Sequence, residues 1–348
     1  MDEQNKTSKN DTQTAAVKEL NQTKPKKKRR SKHDFKDGLG RVFANRHKNG
    51  GGWVAATAHV DDSVYVARNA QVYGCARVYD KVDIRGRAQV YGSAVIRDHV
   101  RLSGDVVVNG AAKINDAAEL RCSAKVSGSA IISGVSYIGS GCVITDSAQI
   151  VDSRITDNVL VWGRPLIVST TVGFIFGGSS WVPLTEQRES NPENRSKIHG
   201  TASLQKAVVK GKCDISGNAV INDASLCLET WQRESPGLKV RGQVSITKSR
   251  IYAPLAITSD SLIVDTTISA VWPSTSSNWA SYSDEDKDAY LFNDQTLVRQ
   301  RINSFTDLKE RIWDRTTDQF VKRANDGAVL GQSILENNGA RRIQRAGI

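Results

Sequence analysis

From Val54 to Ile150 an aliphatic residue recurs at every sixth position without a miss, beginning Val54, Val60, Val66, Val72, Val78, Ile84 and ending Ile138, Ile144, Ile150. Four residues after each stands a small residue or Val, as in Ala58, Val64, Ala70 and Ala76. An amphipathic helix needs a period of about 3.6, and an ordinary half-buried strand a period of 2 held for only about four to eight residues. A strict six fits neither. It demands a short strand and a turn, repeated.

A second period lies over the first. Asp62, Asp80, Asp98 and Asp116 are spaced by eighteen, continuing through Gly134 to Asp152, and so are Gly74, Gly92, Gly110 and Gly128. Eighteen is three hexads, so each coil has three sides and three corners, with like residues above one another. Gly and Asp tolerate the left-handed backbone angles of tight corners. Stacked coils pair their strands in parallel at about 4.8 Å. After Ile150 the register slips by one, giving Ile155, Val161 and Ile167. It breaks at 174–197, resumes at Ile198, breaks again at 229–239, and resumes from Val240 to Ile268. About 30 hexads make about ten coils, roughly 50 Å long, and the two breaks are expected to be loops thrown out of the coil.

This pattern, over residues 53–272 and so about two-thirds of the chain, resembles the bacterial hexapeptide-repeat family. The resemblance implies an all-β solenoid, a left-handed parallel β-helix. The hand comes from the resemblance alone, since parallel crossovers are otherwise right-handed. Composition agrees: only 6% of residues are aromatic, which suits a coil filled by Val, Ile and Ala. The resemblance also implies a homo-oligomer, trimers being common in the family. It brings transferase-like members into view, in which one His acts as general base with coenzyme A in a groove between subunits. His199, directly after the first break, is the candidate catalytic residue by position.

The ends read differently. Net charge is +11, of which residues 1–50 supply +8 (14 Lys/Arg against 6 Asp/Glu) and residues 51–348 only +3 (34 against 31). Residues 1–52 are expected to be a disordered basic arm ending in a hinge at Gly50, Gly51 and Gly52. Its polyanion-binding candidates are Lys24, Lys26, Lys27, Lys28, Arg29, Arg30, Lys32, Arg41, Arg46 and Lys48. The string at 25–32 has the form of a nuclear import signal, and equally of a nucleic-acid-binding arm or a solvated tail. Residues 273–327 are read as a linker and helices, with Leu297 or Val298, Ile302, Phe305, Leu308, Ile312 and Phe320 at helical spacing. Such helices would cover the last coil's strand edges. Residues 328–348, with Arg341, Arg342 and Arg345, form a basic tail.

No run approaches 18 apolar residues and the N-terminus is polar, so neither a membrane span nor a secretion signal is expected. The five cysteines lack C-x-x-C spacing and are read as buried thiols in a reducing, intracellular and cytoplasmic compartment. The Asp ladder is read as corner turns in preference to a row of cation ligands. His59, His99 and His199 show no paired spacing, so no metal site is assigned. Gln187-Arg188-Glu189-Ser190 in the first break is echoed by Gln232-Arg233-Glu234-Ser235 in the second, with Trp181 and Trp231 nearby. Trp181, Arg188, Trp231 and Arg233 are therefore partner-binding candidates. Tyr73 and Tyr91, one coil apart, are expected to stack as a surface ladder. The leading expectation is a non-enzymatic scaffold whose arm binds nucleic acid or an acidic partner and which needs no cofactor. The alternatives are a coenzyme A-dependent acyltransferase and a structural or assembly protein.

Overall fold

The computed structural model describes residues 31–173, 196–227, 237–253, 255–269, 291–293, 296–303, 311–314 and 319–322. They form an all-β parallel solenoid with sheets of 14, 12 and 14 strands; apart from antiparallel strands added at the two ends, successive strands fall in turn onto the three sheets and each pairs with the third one along. The 12-stranded sheet is wholly parallel, one strand per turn. Within each short strand the aliphatic residue points inward. Ile84, Ile96, Ile114, Ile132, Ile150 and Ile167 are all fully buried in one continuous core.

The corners explain the eighteen-residue ladders. Asp80, Asp98 and Asp116 take φ values of 59°, 67° and 63°. Each carboxylate accepts the backbone N–H of the corner one turn on: Asp98 N–H to Asp80 at 3.1 Å, Asp116 N–H to Asp98 at 3.0 Å, Gly134 N–H to Asp116 at 2.8 Å. At the start of the ladder Asp61, one residue before the expected Asp62, receives the Asp80 N–H at 3.2 Å. The glycine ladder is a place of close approach. A Cβ on Gly110 would lie 2.7 Å from the Gly128 carbonyl oxygen, at a φ of +67°.

The register slip has a structural cause. Ile132 pairs with Ile150, eighteen residues on, but Ile150 pairs with Ile167, seventeen on. From Asp152 onward the corner from the second to the third sheet is one residue tighter. Its central residues, Asp152, Ser169, Lys206, Asp223, Lys248, Asp265 and Arg299, have φ between 47° and 55°. The residue after each turns inward, and its hydroxyl, where it has one, serves the backbone above. Thr170 N–H donates to Ser153 Oγ at 3.1 Å, Ala207 N–H to Thr170 Oγ1 at 3.3 Å, and Thr266 N–H to Ser249 Oγ at 3.0 Å. A buried N–H needs such a partner.

Both ends differ from expectation. β1 (Ser31–Asp34) and β2 (Arg41–Arg46) form an antiparallel hairpin that pairs onto β3 (Trp53–Ala55), extending the first sheet past the first turn. Residues 31–50 are therefore folded, because Phe35 and Ala44 bury against Ala55 and Tyr73. The three glycines are no hinge: Cβ atoms on Gly50 and Gly52 would collide with the Val66 carbonyl and side chain. At the other end Leu291–Asn293, Thr296–Val298 and Gln300–Ile302 make a further parallel turn where helices were expected. Phe292, Leu297 and Ile302 step inward every fifth residue, which the tight corner permits. Arg311–Asp314 and Gln319–Lys322 are antiparallel strands added to the third sheet.

Three stretches outside the described residues, 174–195, 228–236 and 270–290, all lie between a strand of the third sheet and the next strand of the first. They fall at every second turn. Trp181, Arg188, Trp231 and Arg233 lie within them, outside the described residues. Among the described residues no helix is long and apolar enough to cross a membrane.

Candidate nucleic-acid groove and the His199 cluster

The hairpin at the N-terminal end builds a groove of about 700 Å³ against the first sheet. Its turn is set locally: Asp34 accepts the Lys36 N–H at 2.8 Å and Asp37 the Leu39 N–H at 3.0 Å, with Gly38 and Gly40 at positive φ. Phe35 stacks on Tyr73 at 4.7 Å, and Tyr73 on Tyr91 at 4.8 Å. The expected two-ring ladder is thus a three-ring one, and Asn109 Nδ2 donates to Tyr91 Oη at its far end, 2.7 Å. His33 stacks on Trp53 at 4.3 Å. Arg46 lies over the Trp53 ring at 4.1 Å and donates to the carbonyls of Gly51 and Arg68.

The groove is electropositive. Lys36, Arg46, Arg68 and Arg87 line it against a single carboxylate, Asp37. Arg87 is also held by Asp105 at 2.7 Å, which keeps that carboxyl below its usual range through the hydrogen bond. Burial, then Arg46, pulls the His33 imidazole below 6.5, so it favours the neutral form. Burial also pushes the Tyr73 phenol up to about 12. Two polar atoms lining the groove, His33 Nε2 and Gln71 Oε1, are buried without a hydrogen-bond partner. Such groups cost free energy unless something bonds them.

Four of the sequence-picked cations sit on or beside this hairpin. Lys32 lies over the Phe43 ring at 5.1 Å, Arg41 is exposed on β2, Arg46 is stacked as above, and Lys48 pairs with Asp62. Lys24, Lys26, Lys27, Lys28, Arg29 and Arg30 lie outside the described residues. Arg68 and Arg87 went unnoticed in the sequence, because at hexad corners they look like ordinary surface charge, and Lys36, in the hairpin turn, was seen only as part of the arm's net charge.

His199 belongs to a separate cluster farther along the first sheet. Val161 pairs with Ile198 and Ile198 with Ile215, so Trp162 and His199 follow one another in the same outward row that carries Tyr73 and Tyr91. The His199 ring stacks on Trp162 at 4.2 Å, and its Nε2 lies 3.1 Å from Asp214 Oδ1. Asp214 Oδ2 accepts from Arg241 at 2.5 Å. This arrangement orients one imidazole nitrogen and leaves the side chain partly open. His59, on the strand His59–Val60, pairs with Asp61 at 3.1 Å, and His99 lies in the turn between Ile96 and Arg101. Among the described residues no group of three or more His, Cys, Asp or Glu could hold a metal ion.

All five thiols are free. Cys142, Cys213 and Cys227 are buried, and burial pushes Cys142 and Cys213 up to about 12. Cys75 and Cys122, expected to be buried, are exposed because both stand at corners, Cys122 at a φ of 58°. Neither a family model nor any curated protein matches the chain.

Proposed function

We propose that this chain is a non-enzymatic scaffold that captures nucleic acid at its N-terminal end. The observation that carries the reading is the groove: Lys36, Arg46, Arg68 and Arg87 against Asp37 and the Asp105 that holds Arg87, with aromatic rings at its wall; in the sequence, the cationic string at 24–30 lies just before it. Cationic grooves that track a phosphate backbone, interleaved with rings on which bases stack, suit single strands. Backbone capture of this kind is sequence-independent and steeply salt-dependent. The coil itself is proposed to be left-handed and triangular in section, as in the hexapeptide-repeat proteins it resembles, and the setting intracellular. An acidic protein partner is the competing occupant.

The test is fluorescence anisotropy of a labelled single-stranded oligonucleotide against salt. Removing residues 1–30 takes away six cations at 24–30. With about 0.7 of slope per phosphate contact on a single strand, affinity near physiological salt should fall by two orders of magnitude or more. Arg68→Ala should lower the slope by a little under one contact. Binding that is unchanged in both variants ends the proposal.

One observation favours a second reading, acyl transfer with coenzyme A: the 3.1 Å pairing of His199 with Asp214, which would hold the imidazole as a general base. It predicts thermal stabilisation by acetyl-coenzyme A that His199→Ala removes. The scaffold reading predicts none.

A further inference from the structure

The three sheets differ in what they present to solvent. In the eight second-sheet strands from Ile131–Ser133 to Thr296–Val298, the middle residue is buried and its two neighbours face outward. None of these outward residues is charged. Half are aliphatic, among them Val151, Leu166, Val168, Val220, Leu262 and Val264, and the rest are Ser, Thr, Asn or Gln. Over the same turns the strands of the first sheet carry Lys197, Asp214 and Lys239, and those of the third Arg154, Lys210, Arg250 and Arg301. The first turns of the second sheet carry charge as well, at Arg77 and Lys113. In a chain that is 24% charged, a long charge-free face is a specific feature. It also lies away from the edge between the third and first sheets, where residues 174–195, 228–236 and 270–290 fall along the chain.

One margin of this face is a row of corner residues at one-turn spacing. From Lys206 the row runs Lys206, Asp223, Lys248, Asp265, Arg299, alternating in sign at every step. Turned end for end, the row is complementary to itself. A two-fold axis across the face between the turns of Asp223 and Lys248 sets Asp223 of one copy opposite Lys248 of the other. The same operation sets Lys206 opposite Asp265.

We propose that the second sheet is a self-association face, and that two copies of this chain pack through it antiparallel about a two-fold axis. An isologous contact of this kind uses one patch on each copy. A neutral centre avoids like-charge opposition in a chain of net charge +11, and the alternating margin fixes register. Six overlapping turns at about 4.8 Å, by a side of roughly 15–20 Å, give a footprint of about 500 Å² per copy. That is the lower end for a specific interface, so association is expected in the micromolar range.

Sedimentation equilibrium of the full chain from about 1 to 100 µM tests this. The mass should rise from 38.0 kDa toward twice that value. Val168→Lys should hold the chain at the monomer mass. Asp223→Lys and Lys248→Asp, each alone, should weaken association at least tenfold, and the two together should restore it. Circular dichroism confirms that each variant keeps its strands, since all three positions face outward. A monomer at the highest concentration, or a three-copy mass, overturns the proposal. So does a charge swap that fails to restore association in folded chains.

Discussion

Gly110→Val is expected to lower the midpoint of thermal unfolding by about 3–7 °C. The side chain must be placed at a φ of +67°, with its Cβ 2.7 Å from the Gly128 carbonyl oxygen and 2.8 Å from the Gly128 nitrogen. A left-handed conformation costs a non-glycine residue about 1–2 kcal/mol, and forcing extra atoms into packed surroundings about 1–3 more. The atoms it meets are backbone, bonded in turn to the coils on either side, so they have little room to yield. Together these give about 2–5 kcal/mol, and at about 2.1 cal/mol/K of unfolding entropy per residue each kcal/mol moves the midpoint of a 348-residue chain by about 1.4 °C. Gly38 supplies the comparison. Its φ is +85°, but nothing lies within 4 Å of the added Cβ. Circular dichroism melts of Gly110→Val and Gly38→Val separate strain from stacking. Equal losses in the two variants would mean that the stacked glycines are not in close register.

Ile132→Ala should cost about 2–5 kcal/mol, the usual toll for emptying a fully buried aliphatic site. Ile132 is wholly buried between Ile114 and Ile150 of the turns on either side. A solenoid is quasi-one-dimensional, each turn touching only its neighbours. A cavity in a middle turn should therefore loosen the coupling between the two halves as well as lower stability. Hydrogen exchange by mass spectrometry is expected to show protection falling most over the turns that flank Ile132, and least toward both ends. The same truncation at the partly buried Val60 of the first turn should cost less. A uniform loss along the whole coil would contradict nearest-neighbour coupling.

Much of this architecture is readable before any coordinates, because the hexad is a geometric necessity of the fold. A side chain that must point inward once per short strand imposes its period on the sequence from Val54 to Ile150. The tight corners were visible only as a numbering slip. Ser153, Thr170, Ser249 and Thr266 look like solvent-facing residues, and only the coordinates show them inside, satisfying backbone N–H groups. The hairpin was hidden by its own charge: Val42 and Ala44 alternate inward among arginines, too short a signal to outweigh the basic composition. The last described turn was read as helix because inward steps of five residues, at Phe292, Leu297 and Ile302, blur into helical spacing.

The candidate sites were less legible still. Tyr73 and Tyr91 are eighteen apart, and their stacking follows from the period. Trp162 and His199 are equally stacked, but the stretch between them breaks the count, so nothing in the string of residues pairs them. Phe35 and Arg46 reach the groove by an antiparallel reversal that no hexad announces.

The strand ends that flank residues 174–195, 228–236 and 270–290 stand along a single edge of the coil, at alternate turns. Those ends are therefore held in file like the teeth of a comb, at a pitch of two strand widths, about 10 Å. Sequence can change or lengthen at those points while the distance from one pair of ends to the next stays fixed. Whatever engages more than one of them must match that pitch.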